Sequence, residues 1–267
     1  MILSIQSDVL HGHVGQKAAL PIYQASSIEA TQLATVTLAA HPGFGVRHRS
    51  ILPADVMAGL LEDFLTLAER PELTALHVGY FGAADQIEVM ADFIHKARQL
   101  QPEITIMLDP VFGEGERRYV ADEIIEAVIE KLVPIADIIT PNHFELSLLY
   151  GQAINSKQTA LSALQTITGK QGQIKCLTGL YVQDDEMIYD IICQDEISAE
   201  TAHRALPQGV SGAGDAFAAL LLSSLQKGHT LKEALFIASR ITSHMIAQSK
   251  SPLTLNVASG LVMIDGY

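Results

Sequence analysis

The stretch "GVSGAGDAFAALLLSSLQKG", residues 209–228, sets Gly212 and Gly214 around Ala213 and directly ahead of Asp215, where an apolar helix begins. Glycine accepts positive φ and lets a ligand come close to the backbone. A helix start offers unpaired N–H groups and the positive end of the dipole, which together suit a phosphate. Asp215 falls in the first turn, where that dipole favours the ionised carboxylate. A carboxylate beside an anion hole is placed to take the proton of an attacking hydroxyl. Phosphoryl transfer asks for little beyond positioning, charge neutralisation and such a base. The alternative is a plain helix N-cap with an acidic first turn, and spacing alone does not separate the two.

A second constellation is "TPNHFE", residues 140–145. Asn142 and Glu145 lie three apart at a helix start and share a face. Together with substrate phosphates such a pair suits Mg²⁺; it equally forms a capping box. Asp109, in "LDP", is either a turn residue before Pro110 or a partner of a nucleotide-bound metal. The segment "FGEGERRYV", residues 112–120, is glycine-punctuated and charged, and fits a mobile cover over a cleft or an ordinary surface loop. No G-x-x-x-x-G-K-[ST] and no G-x-G-x-x-G after the first strand occur, which argues against a P-loop enzyme and a dinucleotide-binding dehydrogenase. Among ten histidines, none pair with zinc spacing. His11, His13 and His41 fall near the mouth of the expected cleft, and His95 and His229 read as solvated.

Short β-rich runs alternate with helical patterns to carry these groups. Strands are expected at 1–6, 33–39, 74–80, 103–110, 136–141 and 172–179. Helices are expected at 53–70, 83–100, 121–135 and 156–170, with Ile87, Met90, Ala91 and Ile94 on one face of the second. After residue 180 a hairpin turning at Asp184-Asp185 and a third β-like stretch near 197–204 precede two helices, 213–227 and 230–248. The segment from Ser251 has no clear pattern. The alternation implies an α/β fold, a mainly parallel sheet with helices on both faces, in one domain spanning 1–267. Such sheets bind ligands beyond the carboxyl ends of their strands. Ser7, His41, Tyr80, Asp109, Thr140, Asn142 and Thr178 all fall at expected strand ends and so along one edge.

The 267 residues are 48% hydrophobic, enough for a sizeable core, and carry a net charge of −13. An acidic surface disfavours nucleic acid and anionic membranes as partners. No run of eighteen apolar residues occurs; Asp137 interrupts "LVPIADIIT". "MILSIQSD" lacks the features of a signal peptide. Cys176 and Cys193 lack metal-ligand spacing and read as core thiols of a reducing compartment. A cytoplasmic protein is expected.

Several stretches together resemble the pyridoxal kinases. "SIQSDVLHGHVGQKAALP" resembles their S-[IV]-Q-S start and following G-x-x-G-N-x-A-A. "GYFGAADQIEVMADF" resembles their G-Y-x-G-x-x-x-Q-I. "IMLDPVFGEGERRYV" resembles D-P-V-x-G-D…Y-V, and "ITPNHFELSLLYG" is similar to T-P-N-x-F-E-L-E-x-L-x-G. "GVSGAGDAFAALLL" resembles the G-[TV]-G-D signature of the wider ribokinase-like kinases. The blocks occur in the family's order across residues 3–222. The resemblance implies a ribokinase-like three-layer sandwich, a homodimer, and ATP-dependent phosphorylation of a pyridine hydroxymethyl group with Mg²⁺ and, in some members, K⁺. It implies Asp215 as base, and Gly212, Ala213 and Gly214 as the anion hole and part of the ATP site. Asp109, Asn142 and Glu145 match positions around the nucleotide phosphates and Mg²⁺. Thr140 and Thr178 match positions near the nucleotide and the monovalent cation, giving Asp109, Glu145 and Thr140 as candidate metal partners. Ser7, His41 and Tyr80, with Asp215, match the pyridine site. Residues 202–210 and the helix from 230 flank the anion hole and are expected to hold adenine.

The sequence departs from the family at several positions. "AAHPGFG", residues 39–45, has Pro42 in place of a substrate-contacting threonine and Phe44 in place of tyrosine. Glu114 stands where aspartate is usual, Gln16 where asparagine is common, and "CLTGLY" lacks a lysine found in some members. Pyridoxal, pyridoxine and pyridoxamine all stay open as acceptors. The alternatives are a hydroxymethylpyrimidine kinase, against which stand Asp215 in place of its usual cysteine and the missing early G-G-A-G run, and a non-catalytic pyridoxal-binding protein, against which stands the intact Asp215.

Overall fold

The computed structural model describes every residue except 70, 116, 184, 206–208 and 265. The chain runs through β1 (Ile2–His11), α1 (Gln16–Ala25), β2 (Ala30–Ala40), β3 (Arg49–Ile51), α2 (Ala54–Thr66), β4 (Ala75–Val78), α3 (Asp85–Leu100) and β5 (Thr105–Leu108). A two-stranded hairpin, β6 (Gly113–Glu114) and β7 (Arg117–Arg118), leads to α4 (Asp122–Lys131), β8 (Ile138–Ile139), α5 (His143–Tyr150) and α6 (Lys157–Thr166). The antiparallel strands β9 (Ile174–Tyr181), β10 (Met187–Gln194) and β11 (Ile197–Arg204) precede α7 (Ala213–Gln226), α8 (Leu231–Ala247) and α9 (Val257–Ile264).

Nine strands form one sheet in the order β11-β10-β9-β8-β5-β4-β1-β2-β3. Pairing is parallel from β9 through β2 and antiparallel at both edges. Alternation along the strands feeds two cores. Leu3, Ile5, Leu76, Val78, Ile106 and Leu108 face α2, α3, α4, α5 and α6. Ile2, Ala75, Met107 and Ile138 face α1, α7, α8 and α9. This is the expected three-layer α/β arrangement. Ile87, Met90 and Ile94 are fully buried on α3, whereas Ala91 is half-buried at the edge of that face. Cys176 and Cys193 are free and buried, in different cores.

Element ends differ where local geometry overrides pattern. β1 runs on to His11 because a bulge between Gln6 and Asp8 lets it stay paired with β2 past Ser7. Ser7 therefore lies within β1 rather than after it, and Thr178 likewise lies inside β9, which continues into the hairpin with β10. The turn of that hairpin was expected at Asp184-Asp185, and Asp184 lies outside the described residues. The helix expected at 121–135 stops at Lys131 and passes into a 3-10 turn at Val133–Ile135, where Pro134 cannot continue the α-helical ladder.

One polar pair is sealed in the α1 face of the sheet. The Tyr23 hydroxyl lies 2.7 Å from His77 Nδ1, and both side chains are fully buried. Burial holds the His77 pKa down to about 4 and raises that of Tyr23, so a neutral phenol and a neutral imidazole share this hydrogen bond. His77 Nε2 has no hydrogen-bond partner among the described residues. Tyr23→Phe should therefore leave both ring nitrogens unpaired at a cost of about 1–3 kcal/mol. Thermal melts should show a midpoint lower by roughly 3–10 °C; an unchanged midpoint would remove this pair from the determinants of the core.

Candidate active site

A cavity of about 960 Å³ opens along the carboxyl edge of the parallel strands. It brings together Ser7, His41, Tyr80, Asp109, Thr140, Asn142, Glu145, Thr178, Gly212, Ala213, Gly214 and Asp215. These candidates thus face one cleft, whereas His11 and His13, also expected near its mouth, do not line it: His11 packs against Phe44 and His13 bonds to Thr254.

Gly212 caps α7 with φ 95°, a left-handed conformation. A Cβ there would sit 1.8 Å from the His13 carbonyl oxygen, so only glycine fits. Gly214 differs: it lies inside the helix, and a Cβ on it would meet nothing within 4 Å. The positive φ expected of both glycines holds for Gly212 alone, because Gly214 is already in the first helical turn. What Gly214 contributes is open space above the helix N-terminus.

Asp215 is half-buried in the first turn of α7. Desolvation raises its pKa, opposed by hydrogen bonds from the Gly15 N–H and its own N–H. Gly15 in turn has φ 55° and lies so close to Ser7 that a Cβ would fall 2.1 Å from the Ser7 carbonyl oxygen. The bulge at Ser7, the α1 N-terminus and the α7 N-terminus therefore meet at the carboxylate.

Asp109 follows β5 and is buried; its Oδ1 accepts from the Thr140 hydroxyl at 2.8 Å. Burial, then repulsion from Asp215, push its pKa up to about 7, against the opposing pull of the Thr140 bond. Glu145 is also buried, and desolvation followed by the Asp109 charge raises its pKa well above the usual carboxylate range. Its oxygens are held by backbone: Asn142 N–H donates to Oε2 at 2.8 Å and Phe112 N–H to Oε1 at 2.9 Å. Asn142 Oδ1 accepts from Glu145 N–H at 3.0 Å, completing the capping box. The capping and ligand readings thus describe one arrangement: a buried carboxylate fixed by amides at the wall of the cleft. Asn142 also donates through Nδ2 to the Gly113 carbonyl at 2.8 Å, tying α5 to the β6–β7 hairpin, and bridges to Thr178.

At one end of the cleft, His41 caps a short 3-10 turn by accepting from Gly43 N–H at 3.2 Å. Its ring meets Tyr119 edge-on at 6.4 Å, and burial, with Arg117 nearby, lowers its pKa. Tyr119 donates to Glu114 Oε2 at 3.2 Å. The expected covering segment is therefore a β-hairpin whose described residues Glu114, Gly115, Arg117, Arg118 and Tyr119 line the cavity; Glu116 lies outside the described residues. Tyr80 is half-buried, with burial raising its pKa and Arg49 opposing.

The other end is lined by residues the sequence did not single out. Asp190 is buried on β10, where it accepts from Gly179 N–H at 2.8 Å and from Ser239. His203, Ala205, Gly209 and Val210 join Ser239, Thr242, Ser243 and Ile246 of α8 around the same space. These fall in the stretch 202–210 and the helix from 230 expected to flank the anion hole; residues 206–208 lie outside the described residues. Asp190, an aspartate in the middle of the apolar strand 187–194, is the part of this wall that the sequence did not single out.

Among the described residues, no three His, Cys, Asp or Glu side chains converge as a protein-only metal site would need. No helix among them is long and apolar enough to cross a membrane.

The family model for phosphomethylpyrimidine kinase matches residues 12–260. The chain is 31% identical to a pyridoxine/pyridoxal/pyridoxamine kinase of Bordetella avium, over 92% of this chain and 84% of that protein. It is 33% identical to a pyridoxal kinase of Rubrobacter xylanophilus, over 89% of this chain and 83% of that one. Among solved structures, the pyridoxal kinase of Leishmania donovani in complex with ADP and pyridoxine superposes with a TM-score of 0.90 at 25% identity, covering 99% of this chain and 94% of that one. The pyridoxal kinase of Entamoeba histolytica has the same fold, with a TM-score of 0.91 at 22% identity over 99% and 95% of the two chains. Matched along nearly its whole length, the chain belongs to the pyridoxal kinase family of ribokinase-like enzymes.

Proposed function

We propose that this chain, as one kinase domain, transfers the γ-phosphoryl group of ATP to the 5′-hydroxymethyl group of a B6 vitamer. The observation that carries this reading is Asp215, held by Gly15 N–H and the α7 N-terminus beside the Gly212 cap. The acceptor hydroxyl oxygen attacks the γ-phosphorus and its proton passes to the Asp215 carboxylate. The bond from γ-phosphorus to its bridging oxygen breaks and ADP leaves. Amides at the α7 N-terminus hold the charge of the transferring group. Ser7, His41 and Tyr80 position the pyridine ring at the β1–β2 end of the cleft. The nucleotide lies toward Thr178, Asp190 and α8. Support for ATP and a vitamer in such a cleft comes from the relatives' names and from the Leishmania complex with ADP and pyridoxine.

A cation fits the carboxylate cluster. Burial and then the Asp215 charge raise the Asp109 pKa, and burial and then the Asp109 charge raise that of Glu145, so a cation placed between these carboxyls would stabilise their ionised forms. Asp109 and Glu145, with Thr140, would hold Mg²⁺ or K⁺ alongside the nucleotide phosphates, where the metal supplies charge neutralisation. Homodimeric assembly and a cytoplasmic location complete the reading.

Because the Asp109 pKa is raised to about 7, the folded protein keeps a proton there that a bound cation displaces. Mg²⁺–ATP binding near neutral pH should release protons from this group, and the release should fall as the pH is raised well above 7. Calorimetry in buffers of different ionisation enthalpy reads this directly; binding heats independent of buffer at pH 7 would contradict it.

The substrate test is ATP turnover with pyridoxal, pyridoxine, pyridoxamine and hydroxymethylpyrimidine compared side by side. Turnover on a pyridine is expected. Turnover on the pyrimidine alone would assign the chain the alternative activity of a hydroxymethylpyrimidine kinase. Tight pyridine binding with no turnover would leave a binding protein.

A further inference from the structure

The segment between α8 and α9 has no clear pattern in sequence, yet it touches three loops that border the cleft. The Pro252 carbonyl accepts from Ser211 N–H at 2.9 Å, at the loop that leads into the Gly212 cap. Thr254 Oγ1 accepts from His13 N–H at 3.2 Å and lies 3.3 Å from His13 Nδ1. The Leu253 side chain packs so close to Gly43 that a Cβ there would sit 2.7 Å from it, which sets it against the turn that follows His41. The buried Leu255 side chain lies beside Gly212.

These contacts converge on one peptide. Thr254 fixes the N–H side of His13, and the His13 carbonyl is packed directly on Gly212. Two residues on, Gly15 N–H binds the Asp215 carboxylate. From this we infer that Thr254 is a positioning residue for phosphoryl transfer. Through the His13–Gly15 turn it holds the anion-hole amides and the catalytic base in register. It touches neither substrate itself. The inference rests on the kinase reading for its effect on turnover, and on geometry alone for its effect on the turn.

The test compares Thr254→Val, which keeps the shape and loses the hydroxyl, with Thr254→Ser, which restores it. Positioning errors of this kind act on the reacting geometry more than on ground-state binding. Thr254→Val should lower kcat about 10-fold with KM for ATP changed less than twofold, and Thr254→Ser should return kcat to near wild type. Hydrogen–deuterium exchange, which does not depend on turnover, should show faster exchange at 12–15 and 209–215 in the valine variant, with α3 unchanged. A valine variant with wild-type kcat and wild-type exchange at both segments would overturn the inference. So would a serine variant as impaired as the valine one, or faster exchange spread evenly over the chain. If the wild-type protein phosphorylates no acceptor, the kinase reading fails, and the exchange pattern alone still decides the role of Thr254 in holding the turn.

Discussion

Asp215→Asn should lower kcat by about 10³-fold, in the range that loss of a positioned general base produces. The amide keeps the size of the side chain and an oxygen to accept from Gly15 N–H, so the fold and both KM values should change little. What it cannot do is take the acceptor's proton. The substitution has a second effect that separates loss of a base from a general disturbance of the site. Asp215 is one of the two causes that raise the Asp109 pKa, after burial. Removing its charge should bring Asp109 down from about 7 toward the ordinary carboxylate range. The proton released on Mg²⁺–ATP binding at pH 7 should then shrink. Steady-state kinetics with calorimetry on the same variant checks both; kcat within tenfold of wild type would show that another group takes the proton.

Gly212→Ala is the second large effect. The residue sits at φ 95°, and its Cβ would fall 1.8 Å from the His13 carbonyl oxygen. The α7 cap or the His13 turn must move, and either movement displaces the amides that face the phosphoryl group. A loss of about 10²–10³ in kcat is expected, the size seen when preorganised donors to a developing charge are removed. A lower thermal midpoint should accompany it, since strain and overpacking both act on the folded state. Gly214→Ala is the control for backbone strain. It places a methyl group in a helical position with nothing within 4 Å, so the midpoint should hold or rise slightly. Any loss there reports space needed by the ligand. Equal and small losses in both variants would mean that the cap geometry is not used in catalysis.

Much of this architecture can be read from the chain because the fold repeats a simple signal. Buried parallel strands such as 105–108 are short apolar runs, and amphipathic helices such as α3 bury residues at helical spacing. Polar residues at the ends of such strands must share an edge, which is why Asp109 and Thr140 can be grouped from the sequence alone. Three features were not legible. Helix α1 lacks a side-chain N-cap and carries Pro21 inside it, so neither of the usual start signals marks it and an interior breaker argues against it. Asp190 is one acid in an apolar strand, and only the neighbouring Gly179 and Ser239 give it a role. The bond from His13 N–H to Thr254 joins residues 241 apart in sequence, and no local pattern encodes a contact at that distance. The departures at Pro42 and Phe44 were visible, but not their setting. Phe44 is partly exposed and meets His11 edge-on at 5.3 Å, so this loop packs against the end of β1 at the cleft mouth.

The central claim is the transfer of a phosphoryl group from ATP to the hydroxymethyl oxygen of a pyridine vitamer. Its most direct test is phosphorus and proton NMR of the products after incubating the purified protein with Mg²⁺–ATP and pyridoxine. The account predicts ADP together with a phosphate monoester whose phosphorus couples to the 5′-methylene protons. ADP with inorganic phosphate alone, a phosphate on another oxygen, or unchanged ATP with every vitamer tested would contradict it.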